Sequence, residues 1–226
     1  MNFAEGEILL INKPLRWTSF DVVNKLRYAL TKKLGQRLKV GHAGTLDPLA
    51  SGLLLICTGK MTKQIDQYTG MDKEYTGTLF IGATTATYDS EMEPDAVFET
   101  SHINEQLIYD TTKHFIGDLQ QVPPVYSAIK TDGKTAYMQA RKGREVEMKP
   151  RPVTIHEFEI TRIALPEVDF RVVCSKGTYI RSLAYDFGKA LNSGAYLKSL
   201  CRTRIGEFDL KGALTLEDAL KIIAEL

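Results

Sequence analysis

Short apolar runs of changing period divide the chain into mixed elements. Glu7–Asn12 (EILLIN) is an apolar run closed by Lys13 and Pro14, and it predicts a first strand. Thr18, with Asp21 three residues on, is a helix-start signal, and Val23, Leu26 and Leu30 follow at helical spacing. Leu53–Cys57 (LLLIC) is apolar without interruption and reads as a buried strand or the start of a helix. Tyr75–Ile81 alternates, so Tyr75, Gly77, Leu79 and Ile81 share one face of a strand. The acidic stretch Asp89–Asp95 contains Pro94 and predicts a surface loop, and 103–116 predicts a helix. Phe170–Cys174 alternates as a strand and Lys176–Gly177 turns it. A helical stripe of Ile180, Leu183, Ala184, Phe187 and Leu191 follows. Thr215 with Asp218 caps a last amphipathic helix built on Leu216, Ala219, Leu220 and Ile223. Strands and helices mix without a βαβ rhythm. That predicts an α+β fold with a mixed, mostly antiparallel central sheet flanked by helices and loops. With no repeat and no low-complexity linker, 1–226 is expected to be a single domain.

Composition narrows the class of protein. The 226 residues are 43% hydrophobic and 25% charged, the profile of an ordinary globular chain. No apolar run approaches the roughly 18 residues of a membrane span, and no basic region precedes the short apolar stretch at the N-terminus. No membrane association and no signal peptide are therefore expected. The three cysteines (Cys57, Cys174, Cys201) and four histidines (His42, His102, His114, His156) show no metal-ligand spacing, which predicts no metal site and a reducing, cytoplasmic compartment. Phosphate-cradling glycine motifs and the GxSxG elbow are missing. A net charge of +1 means that any polyanion surface must come from local clustering.

One such cluster lies at about 121–152. Pro123 and Pro124 open the segment; Pro150 and Pro152 close it. Lys130, Lys134, Arg141, Lys142, Arg144, Lys149 and Arg151 lie within it, with Tyr126 and Tyr137 interleaved. Composition allows either a solvated hairpin or helix, or a loop that grips RNA through phosphates and bases.

The other feature is GHAGTLDPLASG at 41–52. Glycines lie on both sides of Asp47, and Pro48 disfavours helical geometry at Asp47. From spacing alone, Asp47 is either the cap of a turn or a carboxylate held for chemistry.

Taken with the rest of the chain, this loop resembles the signature of the TruB-type tRNA pseudouridine-55 synthases. The agreement continues in order through NKP at 12–14, KEYTGTLFIGATTATYDSEME at 73–93, QVPPVYSAIKTDGKTAYMQARKG at 121–143 and CSKGTYIRSLAYDFG at 174–188. It covers about residues 8–208. The resemblance implies the pseudouridine synthase fold with an RNA-binding insertion. It implies an isomerase that moves the glycosidic bond of the T-loop uridine of tRNA from N1 to C5, without cofactor or metal. The partner implied is the tRNA T-arm stem-loop, and the enzyme is expected to act as a monomer. Many members of the family carry a further C-terminal RNA-binding domain of the PUA type; none is expected in this chain.

Residue roles follow from the same resemblance. Asp47 aligns with the essential aspartate, which initiates the reaction either by nucleophilic attack or by abstracting a ribose proton. Arg181 aligns with the arginine that pairs with it, and Tyr179 is a candidate for removing the C5 proton. Tyr75 stacks on the flipped uracil, His42 helps hold the extruded nucleotide, and Leu200 packs near the base. Lys130, Arg141, Lys142 and Arg144 would contact the RNA backbone. Lys13 and Pro14 match an early KP element that supports the pocket floor. Two other readings stay open: an idle RNA-binding protein on the same fold, and a synthase for another target such as ribosomal RNA. Composition alone would allow a hydrolase using Asp47.

Overall fold

The structure is a computed structural model describing residues 2–131 and 133–226; Asp132, inside the proline-bounded segment, lies outside the described residues. The first half runs β1 (Ile8–Lys13), α1 (Ser19–Leu34), β2 (Val40–His42), β3 (Ala50–Thr58), α2 (Ile65–Thr69), β4 (Lys73–Ile81), β5 (Ala83–Thr84), β6 (Ala96–Val97) and α3 (Glu105–Lys113). It continues with β7 (Gly117–Gln121), β8 (Lys130–Thr131), β9 (Lys134–Thr135), α4 (Ala136–Ala140), β10 (Arg151–Ala164) and β11 (Glu167–Cys174). The chain closes with α5 (Ile180–Ala190), β12 (Ala195–Ile205), β13 (Phe208–Asp209), β14 (Leu214–Thr215) and α6 (Leu216–Ala224). The class is α+β, with a mixed, mostly antiparallel sheet and flanking helices. The chain divides into two compact units, Met1–Thr76 with Leu200–Leu226, and Gly77–Ser199.

In the first unit the LLLIC run is strand β3. Its neighbours are β1 and β2, both antiparallel to it, and β12, parallel to it through Leu200–Arg202; β14 extends β1 in parallel. The run is continuous because β3 is buried on both faces. Leu54 and Ile56 face a cluster with Leu9, Ile11, Val22, Leu26, Leu30 and Ile223, which joins α1 and α6 to the sheet. Leu53, Leu55 and Cys57 face the opposite side with Ala43, Tyr68 and Ile205. Helix α1 starts at the Thr18 capping box and stops at Gly35, whose φ of 66° is the left-handed conformation that glycine adopts without strain.

The second unit is organised by the β10–β11 pair, with β7 on the other edge of β10, all antiparallel. Phe158, Phe170 and Phe187 meet edge to face or tilted and join α5 to these strands, with Phe115 against Phe158 and Phe187. Strand β10 breaks register with β11 between Ile155 and Glu157 and again between Ile160 and Arg162. Each bulge shifts the side-chain alternation by one, so this 14-residue strand carries no steady period of two. The segment Ser90–Asp95 lies at the surface, as its acidity predicts, apart from the half-buried Met92. Asp89 turns inward and is buried at 6% exposure.

Candidate active site

Asp47 sits in the connection between β2 and β3, half-buried, with its neighbours Ala43 and Leu46 buried. The loop is held at almost every peptide. The Ala43 N–H donates to Leu55 O at 2.9 Å and the Ala50 N–H to Asp47 O at 3.0 Å. The Arg16 N–H donates to Pro48 O at 2.7 Å. Ser19, the first residue of α1, both accepts from the Leu46 N–H at 2.8 Å and donates to Leu46 O at 3.1 Å. Beneath the loop lies Arg202, 1% exposed. Its Nε donates to Leu53 O at 2.8 Å, Nη2 to Gly44 O at 3.0 Å and Nη1 to Thr45 O at 3.5 Å. One guanidinium thus satisfies carbonyls before and after Asp47, which fixes the path of the chain between them. The close approach of β12 also explains Gly52. Its φ is +102°, and a Cβ there would stand 2.3 Å from Arg202 O, so only glycine fits.

Lys13, at the end of β1, is fully buried, with Nζ donating to Trp17 O at 2.6 Å and to Pro14 O at 3.1 Å. Burial pulls its pKa down to about 8; the Asp47 carboxylate opposes that fall, Arg202 adds to it, and Asp21 opposes it. His42 ends β2 opposite Ile56 of β3 and is half-buried. Burial, and then the Arg202 charge, lower its pKa below the usual histidine value, with a backbone contact at Gly44 acting the other way. A neutral imidazole suits a contact role better than one as a cation. Leu200 lies in register with Ala50, three residues past Asp47, so β12 brings an apolar side chain to the same end of β3. Tyr75 lies in β4 at 8% exposure.

In the second unit, Tyr179 caps the N-terminus of α5. The side chain of Gln121, at the end of β7, brackets its peptide: the Tyr179 N–H donates to Oε1 at 2.8 Å, and Nε2 donates to Tyr179 O at 3.0 Å. Arg181 is 6% exposed in the first turn of α5. Within its unit, Nη1 donates to Thr87 O at 3.1 Å and lies 3.6 Å from Asp89 Oδ2, while Nη2 donates to Tyr126 O at 3.0 Å. Asp89 is in turn held by the Thr87 hydroxyl at 2.6 Å and the Glu91 N–H at 3.0 Å. Tyr88 between them has a φ of 62° and stacks on Tyr185 with ring centroids 4.1 Å apart. These contacts aim a guanidinium and set the entry of α5, which is what a positioned charge needs.

The basic segment is built differently. Lys130 lies in the β8–β9 pair, and Lys142 and Arg144 are exposed beyond α4. Arg141 is exposed, but its guanidinium bonds Glu91 at 3.2 Å and lies 4.5 Å from the Tyr137 ring centre. Among the described residues no helix is long and apolar enough to cross a membrane.

Several residues that shape the site give no sequence signal of their own. Arg202 reads as one of two basic residues in CRTRIG, and Gln121 as a polar residue before a proline pair. Asp89 reads as part of an acidic loop; the preceding TTAT, rich in short hydroxyls able to satisfy a buried carboxylate, is the one hint.

Residues 31–180 match the family model described as TruB family pseudouridylate synthase (N terminal domain). The chain is 62% identical over 216 residues to the tRNA pseudouridine synthase B of Flavobacterium johnsoniae, covering 95% of this chain and 94% of that protein. It is 55% identical over 218 residues to the protein of the same name from Phocaeicola vulgatus, covering 96% and 93%. Among solved structures it is similar to a chain of a Cbf5-Nop10-Gar1 complex, with a TM-score of 0.73 and 29% identity over 98% of this chain and 55% of that one. A chain of an H/ACA RNP bound to a substrate RNA containing 2'-deoxyuridine matches with a TM-score of 0.69 and 27% identity, over 97% of this chain and 53% of that one. Fold and matches together define a pseudouridylate synthase, an isomerase of uridine. Within that class, the chain belongs to the TruB family.

Proposed function

We propose that the chain isomerises the T-loop uridine of tRNA, position 55, to pseudouridine, and that it does so as a monomer in the cytoplasm. What supports the reading is 62% identity along 95% of the chain to a protein named tRNA pseudouridine synthase B. The reacting atoms of a stacked uridine are out of reach, so the nucleotide must be flipped out, at a cost of about a few kcal/mol. The rest of the chemistry is assigned residue by residue. Asp47 presents an ionised carboxylate to the sugar, as nucleophile or as base toward a ribose proton; its loop suits this because a misplaced group loses rate steeply. Tyr179 removes the C5 proton after the base has turned, and Arg181 supplies the fixed positive charge that the aspartate chemistry requires. Tyr75, His42 and Leu200 hold the flipped base and its neighbours by stacking and apolar contact. Lys130, Arg141, Lys142 and Arg144 hold phosphates from the insertion at about 121–152, and 1–226 functions as one catalytic domain.

The test is to incubate the chain with an unmodified tRNA transcript, then label pseudouridine chemically and read its position by primer extension. A single stop at the T-loop uridine is expected. A stop elsewhere would reassign the target, and no stop would sink the reading. The idle RNA-binding alternative predicts bound tRNA with no stop.

A further inference from the structure

Helix α1 buries one side and leaves another bare. Val22, Val23, Leu26 and Leu30 are buried, yet Phe20 is 59% exposed and Tyr28 70% exposed. Phe20, Asn24 and Tyr28 are spaced four apart and form one stripe along the helix. Two large aromatics exposed in one stripe mark an interaction surface more than chance scatter does. Beside the stripe, Arg16, Trp17, Asp21, Asn24, Lys25 and Tyr28 line a concavity of about 440 Å³.

The charges around it are mostly positive. Arg16 and Lys25 are exposed, and the Arg27 guanidinium stands 5.9 Å from the Phe20 ring centre. The one acid, Asp21, is committed to the capping box, accepting from the Thr18 N–H at 2.9 Å and the Thr18 hydroxyl at 2.6 Å. Arg16 is held with a φ of 66°, in the left-handed region that side-chain-bearing residues rarely adopt. Its N–H is tied to Pro48 O at 2.7 Å, so the patch is anchored to the residue that follows Asp47.

We propose that this face of α1, together with Arg16, is an RNA-contacting surface in addition to the 121–152 segment. It takes unpaired nucleotides, with bases stacking on Tyr28 and Phe20 and phosphates pairing with Arg16 and Lys25. Exposed aromatics interleaved with cations are the composition of a single-stranded nucleic-acid platform. A protein partner would call for an apolar patch whose centre is depleted of charge. The proposal rests on the RNA-modifying reading above, and it places the new contacts one hydrogen bond away from the loop that carries Asp47.

The experiment uses the full chain, an unmodified tRNA transcript, and the variants Tyr28→Ala and Lys25→Ala, both at exposed positions. Affinity is measured across a salt series, turnover at saturating tRNA, and melting temperature as a check on folding. Tyr28→Ala is expected to raise Kd about 10-fold, the effect of losing one stacked base. Lys25→Ala is expected to reduce the slope of log affinity against log salt by about 1. Turnover at saturation and melting temperature should match wild type in both. Wild-type affinity and salt slope in both variants would overturn the proposal. So would loss of a self-associated form in sedimentation with RNA affinity unchanged. Should the wild-type chain bind tRNA without forming pseudouridine, the proposed reaction fails, while the affinities still decide the role of α1.

Discussion

The loop around Asp47 and the outer part of the basic segment, residues 130–149, are both rich in polar groups, and they are held in opposite ways. The loop is fastened from inside by Ser19 and Arg202, both at or below 2% exposure and both bonded to its main-chain carbonyls; buried Lys13 braces the neighbouring Pro14–Trp17 turn. Among its described residues that outer part carries two two-residue strands and a five-residue helix, with the Arg141–Glu91 pair at the surface. A buried polar group satisfied by the backbone fixes geometry, because leaving its partners unpaired is costly. A surface pair is worth little and can be exchanged for a phosphate. Precision is concentrated in the loop: the carboxylate is presented by a rigid frame, while the cations assigned to RNA sit where they can exchange partners.

Breaking the frame should therefore cost more than stripping the segment. The largest effect is expected for Arg202→Met, which orphans the carbonyls of Leu53, Gly44 and Thr45 while keeping most of the packing. A loss of about 3 kcal/mol in urea unfolding is expected, since each buried carbonyl left without a donor costs about 1–3 kcal/mol. A loss below about 1 kcal/mol would mean the loop holds its path without the guanidinium.

Lys13 supplies a pH signature of the same frame. Its pKa is about 8 in the folded chain against 10.5 as the reference. Between those values the unfolded chain binds more protons than the folded one, so stability rises with pH across that window. Relative to Lys13→Met, the wild type should gain about 3 kcal/mol between pH 8 and 10.5, which paired unfolding curves would measure. Parallel curves would show that Lys13 is not buried as a charge.

Next comes Arg181→Lys, which keeps the charge and loses the planar fork that reaches both Thr87 O and Tyr126 O. Turnover should fall about 100-fold in single-turnover assays, with tRNA affinity little changed. Near wild-type turnover would remove any need for the fork. The smallest effect on the fold is expected for Lys142→Ala combined with Arg144→Ala. Stability should stay within about 0.5 kcal/mol, while the salt dependence of tRNA binding loses about 2 from its slope. A large loss of stability would show the segment to be part of the frame after all.

The sequence exposes this division unevenly. Strand β3 is legible because burial on both faces writes an unbroken apolar run, and α1 and α6 because their capping residues and stripes coincide. Strand β10 is hidden by its two bulges, which scramble the period of two. Strand β12 is hidden because it buries Arg202 among inward-facing positions that do not alternate regularly. Glycine and proline make the rigidity around Asp47 visible, since they act locally on the backbone. The side chains that fasten it come from positions 19 and 202. Only folding brings such distant residues together, and no local pattern announces it. The same holds for Gln121, which reaches 58 residues along the chain to bracket Tyr179.

Asp47 is the group assigned to start the reaction, and Asp47→Asn tests that assignment most directly. The amide keeps the size of the side chain and removes its charge. Wild type and variant should bind unmodified tRNA with similar affinity and melt at similar temperatures. Only the wild type should then yield pseudouridine at the T-loop uridine. Equal yields from the two proteins would show that the Asp47 carboxylate does not start the reaction.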